Sequence, residues 1–317
     1  MNPTSAPLPN DRLKEEIAKL KKEKNALIMA HYYQRDEIQE IADFIGDSLA
    51  LARQAARTDA DVIVMCGVHF MGETAKILCP GKTVLIPDTN AGCSLADSCD
   101  PVEFEKFVKE HPDHTVISYV NTSAAVKALT DIVVTSGNAR KIVEKLPVEE
   151  KIIFGPDHNL GEYINSVTGR RMLLWNGACH VHDRFSIEKI MEMKREHPRA
   201  KILVHPECRR PLQLIADKVG STAALLDFAE KDDAPEYIVV TESGILFEMR
   251  NKCPHKTFLP APAEDAECQC NECDYMKMNT LQKVYEALRD GKPEINVDPE
   301  IAEKAIRPIK RMLEMSE

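Results

Sequence analysis

The sequence predicts an α/β fold: three homologous α/β/α units with parallel sheets, arranged around a pseudo-threefold axis. Three observations point there. Short apolar, β-branched runs alternate with helical patterns through most of the chain, as parallel α/β units require. The chain resembles itself: ADFIGDSLALARQA (42–55) aligns with ADKVGSTAALLDFA (216–229) and, less closely, with DIVVTSGNARKIVEKL (131–146). The strand ends LIMAHYY, VISYVN and LVHPE recur at intervals of roughly 85–90 residues, the mark of a repeat architecture.

The expected strands are Leu27–Ala30, Val62–Met65, Val84–Ile86, Val116–Ser118, Ile132–Val134, Ile152–Phe154, Met172–Leu174, Ile202–Val204, Tyr237–Val240 and Thr257–Leu259. Helices fit between them. Ile38, Ile41, Ala42, Ile45 and Leu49 form one apolar stripe at helical spacing. The first 20 or so residues and the last 40 or so read as helix. Domain limits follow at 1–107, 108–195 and 196–279, with C-terminal helices 280–317 packing on the first unit.

Composition narrows the function. Hydrophobic content of 44% and charged content of 29% describe a soluble globular protein. The polar N-terminus lacks a signal-peptide core, and no apolar run reaches the roughly 18 residues of a membrane helix, so a cytoplasmic protein without membrane contact is expected. A net charge of −10 with no basic, aromatic-rich face argues against nucleic acid as a partner. Ten scattered cysteines do not make a disulfide scaffold; they are packing residues, ligands or nucleophiles.

Each copy closes its last strand with a cysteine-bearing loop: PDTNAGCSLADSC, LLWNGACHVH and PAPAEDAECQCNEC. Cys93, Cys179 and one of Cys268, Cys270 and Cys273 are therefore brought toward the axis. Three such thiolates can hold an iron–sulfur cluster with one iron left open, which acts as a Lewis acid. Cys-x-Cys-x-x-Cys is equally half of a zinc site or a redox pair, although no second ligand pair follows it. Cys66, Cys79, Cys99, Cys208 and Cys253 lie in apolar strands or at helix margins and read as packing residues.

Polar residues at equivalent strand ends form a second group. His31, Tyr33, Tyr119, Asn121, His182, His205 and Glu207 all follow apolar runs and should face one cleft. Glu207 suits a base and His205 an anion-binding donor, while the tyrosines offer hydroxyls. Gly46-Asp47-Ser48, Ser136-Gly137-Asn138 and Gly220-Ser221-Thr222 follow the second strand position of each copy and precede helices. Each is a helix cap whose amides and hydroxyls suit phosphate or carboxylate. The absence of a P-loop and of a full GxGxxG gives no sign of a nucleotide cofactor.

Over residues 25–315 the chain resembles the quinolinate synthase family (quinolinate synthetase A, iron–sulfur type). The resemblance is carried by AHYYQRDEIQEIADFIGDSLALA, VVTSGNA, FGPDHNLGEYI, WNGACHVH, VHPEC, ADKVGSTAAL, TESGILFEM and CDYMKMNTL. It implies one [4Fe–4S] cluster per chain, held by Cys93, Cys179 and Cys273, the last chosen by its place in Cys-x-x-Met. It implies condensation of iminosuccinate with dihydroxyacetone phosphate to quinolinate, phosphate and two waters, with functional coupling to L-aspartate oxidase. Tyr33, Glu207 and His31 fall on catalytic positions. His31, Ser48, Tyr119, Asn121, Ser136, His182, His205, Glu207, Ser221 and Thr222 fall on substrate-binding ones. Cys268 and Cys270 exceed this ligand set, and a Cys270–Cys273 disulfide would withdraw a ligand as a redox control. An aconitase-type hydro-lyase and a non-catalytic zinc or redox sensor are the competing expectations.

Overall fold

The computed structural model describes residues 9–264 and 271–317. Among the described residues, twelve strands form three separate four-stranded sheets. The first holds β1 (Ala26–His31), β2 (Phe44–Gly46), β3 (Val62–Cys66) and β4 (Thr83–Leu85). The second holds β5 (Thr115–Tyr119), β6 (Ile132–Val134), β7 (Ile152–Gly155) and β8 (Leu173–Leu174). The third holds β9 (Lys201–Val204), β10 (Lys218–Val219), β11 (Glu236–Val240) and β12 (Thr257–Pro260). In all three the spatial order is second, first, third, fourth, and every pairing is parallel. The shared order makes the repeat a structural fact.

Its register is fixed by one device used three times. The side chains of Asp43, Asp131 and Asp217 accept the backbone N–H of Ile28, Val116 and Ile202 at 2.9, 2.9 and 2.8 Å. Each of those residues' carbonyls accepts the same aspartate's N–H at 2.9 Å. The paired contacts pin the start of the second strand against the first, where a slip of one residue would reverse every side chain.

Alternation along the strands divides the core. Met29, Ile117, Phe154, Leu203, Tyr237 and Val239 join one apolar cluster drawn from all three sheets. Their strand neighbours face the other way, into a separate cluster for each sheet: Ile28 and Ala30, Val116 and Ile153, Ile202 and Ile238. Strands buried on both faces read as continuous apolar runs, which is how the sequence shows them.

Two elements differ from expectation. The apolar stripe from Ile38 to Leu49 is not one helix; helix Asp36–Gln39, β2 and helix Ser48–Arg57 share it, and Ile45 lies in the strand. Asp47 interrupts the stripe by capping the second helix, accepting from Ala50 N at 3.0 Å. The C-terminal helices also part company. Leu281–Asp290 packs on the N-terminal helix Asn10–Glu23 and on β3. Pro299–Met315 instead lies over β6 and helix Ala124–Lys127 of the second unit, as well as helix His69–Leu78 of the first. Its apolar face (Ala305, Ile309, Met312) is large enough to serve both.

The first and third units meet tightly at Gly244, where a Cβ would stand 2.8 Å from Tyr33 Cα and 2.9 Å from Tyr32 O. A side chain there would push the units apart.

Candidate active site

Parallel strands from three sheets deliver their carboxyl ends to one cavity, lined by residues of all three units. Of the predicted residues, His31, Tyr33, Ser48, Cys93, Tyr119, Asn121, Ser136, Cys179, His182, His205, Glu207, Thr222 and Cys273 all line it. Ser221 does not. It is the N-cap of helix Thr222–Lys231, accepting from Ala224 N at 3.3 Å. In the repeat it matches Asp47, so Thr222 takes the place of Ser48: each is the first residue of its helix, with its side chain at the cavity.

The thiols separate into two groups. Cys66, Cys79, Cys99, Cys208 and Cys253 are buried away from the cavity, as packing residues would be. Cys93, Cys179 and Cys273, one from each unit, are the partly exposed ones. Burial pushes Cys93 up to about 12, Cys273 up to about 11 and Cys179 well above the ordinary thiol range, and the three would repel one another as bare thiolates. Such a donor set is soft, mutually repelling and poorly hydrated, and a cationic metal centre relieves all three conditions. Cys268 and Cys270 lie outside the described residues, and with them the Cys270–Cys273 disulfide and the zinc reading of that segment. A second group also fits a metal ion: donor atoms of Cys179, His182 and Glu207 lie within 4.8 Å of one another.

Glu207 sits at the centre of the polar groups. It accepts from Tyr119 Oη, pairs with His182 Nδ1 at 3.1 Å and faces His205 Nδ1 at 3.8 Å. Burial works to raise its carboxyl, but the two histidines and the bonds donated by His182 and Tyr119 outweigh it and hold the group down at about 2. Glu207 is therefore ionised, and a weak base for as long as those donors remain.

His31 and His205 are pulled down to about 3, chiefly because burial disfavours the charged ring. The hydrogen bonds assign their tautomers alike. His31 Nδ1 accepts from Tyr33 N at 3.2 Å and His205 Nδ1 from Glu207 N at 3.3 Å, which leaves the proton on Nε2 in both. His205 Nε2 then donates to Ser136 Oγ at 3.2 Å. Asn121 Oδ1 is buried with no hydrogen-bond partner, an acceptor held ready at the cavity wall.

Sequence reasoning missed several residues. Thr241 Oγ1 bridges Tyr33 Oη at 2.7 Å and His182 Nε2 at 2.9 Å. Asp157 and Glu242, fully buried, stand behind two of the thiols. Lys127, also fully buried, ties the loop that carries Asn121 by donating to the carbonyls of Val120 (2.8 Å) and Thr122. His180 Nδ1 lies 2.5 Å from Ser94 Oγ at the rim. The one available signal was position: Asp157 and Glu242 each lie two residues beyond the third strand of their unit.

These features define an α/β protein of three repeated units that share one cavity, the form of an enzyme whose site includes a Cys–His–Glu group able to hold a metal. A family model described as Quinolinate synthetase A protein matches residues 15–314. A quinolinate synthase of Microcystis aeruginosa is 54% identical over 100% of this chain and 99% of its own. The quinolinate synthase of Thermosynechococcus vestitus is 54% identical over 98% and 97%, and that of Chloroherpeton thalassium 54% over 95% and 94%. The chain belongs to the quinolinate synthetase A family, and is an enzyme of NAD biosynthesis. No helix among the described residues is long and apolar enough to cross a membrane.

Proposed function

We propose that this enzyme condenses iminosuccinate with dihydroxyacetone phosphate, giving quinolinate, phosphate and two waters, around one [4Fe–4S] cluster per chain held by Cys93, Cys179 and Cys273. The observation that carries the reading is the convergence of one thiol from each unit on the cavity that holds the ionised Glu207. When bound, the cluster supplies Lewis acidity at an iron without a protein ligand.

The chain's own residues bind and move protons. Ser48 and Thr222 open ten-residue helices, whose free amides and positive ends suit the phosphate and carboxylates. Asn121 and the Ser136–His205 pair add an acceptor and neutral donors. Glu207 gains basicity when substrate draws Tyr119 or His182 away from it, so proton abstraction waits for a filled site. Tyr33, linked to His182 through Thr241, carries a proton at its hydroxyl. Iminosuccinate would come from an L-aspartate oxidase. The same proposal keeps the units at 1–107, 108–195 and 196–279.

The Cys179–His182–Glu207 group favours a second reading, a single metal ion with Cys93 and Cys273 dispensable. Anaerobic assay of the iron-replete chain with both substrates tests the proposal. Quinolinate is the expected product; its absence from cluster-replete protein counts against the substrate assignment. Stoichiometric zinc that survives Cys93→Ser favours the second reading.

A further inference from the structure

We infer that Asp157 and Glu242 are positioning residues that hold the backbone of two ligand cysteines, an inference resting on the cluster reading above. Both carboxyl groups are fully buried and occupy the same place in their units, two residues past β7 and β11. Each divides its two oxygens in the same way. Asp157 Oδ1 accepts from Leu160 N at 2.7 Å, at the start of helix His158–Thr168, while Oδ2 accepts from Cys179 N at 3.3 Å. Glu242 Oε2 accepts from Gly244 N at 2.7 Å, while Oε1 accepts from Cys273 N at 3.1 Å and faces Lys277 Nζ at 3.0 Å.

Bracing a local loop does not explain this arrangement. The same chain caps helix Thr222–Lys231 with a serine, which has one oxygen, and where Asp47 caps helix Ser48–Arg57 its side chain accepts from that helix's own amide. A buried carboxyl group is costlier than a hydroxyl, and its second oxygen is what it adds. In both units that oxygen goes to the amide of the metal-facing cysteine. The first unit departs from the pattern: Val68 lies two residues beyond β3 and has no side-chain acceptor to offer Cys93. Two of the three thiols are thus anchored through their own backbone to a strand end, and one is not.

An amide side chain tests this, because its single oxygen can serve one N–H and its NH₂ repels the other. The full chain, with Asp157→Asn or Glu242→Gln, is reconstituted anaerobically with iron and sulfide, and iron release to a chelator is followed by the loss of visible absorbance. Asp131→Asn is the control, since Asp131 holds the Val116 amide in the second sheet and no cysteine. The two variants should release iron 10- to 100-fold faster than wild type, the usual effect of removing a group behind a ligand. The control should be destabilised in urea yet release iron at the wild-type rate. Wild-type release from both variants, or equally fast release from the control, overturns this inference while leaving the cluster in place. A wild-type chain that takes up no iron overturns the cluster reading and this inference together.

Discussion

Tyr33 of the first unit and Thr241 of the third share a hydrogen bond of 2.7 Å across 208 positions of sequence. The chain of contacts continues on both sides. Thr222 Oγ1 lies 2.7 Å from the same tyrosine hydroxyl, and His182 Nε2 lies 2.9 Å from Thr241. His182 Nδ1 in turn lies 3.1 Å from Glu207 Oε2. All three units therefore contribute to one hydrogen-bonded path ending on the Glu207 carboxylate.

Thr241→Val keeps the shape and removes the bridge. Leaving Tyr33 Oη and His182 Nε2 buried without it should cost roughly 1–3 kcal/mol in urea unfolding. It should also lower kcat about 10- to 100-fold, within the effect of a displaced proton carrier. A variant with wild-type kcat would remove Thr241 from the path.

Glu207→Gln puts an amide NH₂ where His182 and Tyr119 donate to a carboxylate. Quinolinate formation should fall at least about 10²-fold, the lower end of what a general base contributes. Steady-state assay of iron-replete protein reads this directly, and activity within a few fold of wild type would rule Glu207 out as the base.

Acid should unfold the protein earlier than its exposed groups alone require. His31 and His205, ordinarily near 6.5, sit at about 3 when folded, so below pH 6.5 the unfolded chain binds protons that the folded chain refuses. Stability is complete above pH 6.5 and falls as pH drops toward 3, by up to about 1.4 kcal/mol per pH unit for each histidine. Glu207, held at about 2 against an ordinary 4.5, adds a further loss that begins below pH 4.5. Urea titrations between pH 7 and 4 should show this slope, and His205→Asn should flatten it by about half above pH 4.5. A flat profile in wild type would contradict the buried, neutral assignment.

The three aspartate contacts offer a test of the repeat itself. Asp43→Ala, Asp131→Ala and Asp217→Ala each orphan one strand amide and should each cost about 1–3 kcal/mol, because their geometries match. Urea unfolding that finds no loss at any of them would mean the register is set elsewhere.

How much of this was visible in the sequence depended on what each signal needed. Ten strands were legible as short apolar runs, even β4 and β6 of three residues and β8 of two. β2 (Phe-Ile-Gly) and β10 (Lys-Val) offer no such run, and Ile45 was absorbed into a helical stripe that the flanking helices do continue. The cavity-lining histidines, tyrosines and thiols were legible because a parallel sheet fixes where strand ends go. Ser221 caps its helix away from the cavity, and the next residue, Thr222, faces it, a one-residue difference that no pattern in the sequence resolves. Asp157 and Glu242 stayed hidden because their partners are backbone amides, 22 and 31 positions away, which no side-chain pattern records. Thr241 stayed hidden for a related reason, since its two partners come from two other units.

The central claim is that one thiol from each unit holds a single cluster. Iron and acid-labile sulfide per chain, measured after anaerobic reconstitution of wild type and of Cys93→Ser, Cys179→Ser and Cys273→Ser, test it most directly. About four of each are expected in wild type, with most of both lost in every variant. Full iron and sulfide retained in Cys93→Ser or Cys273→Ser would contradict it.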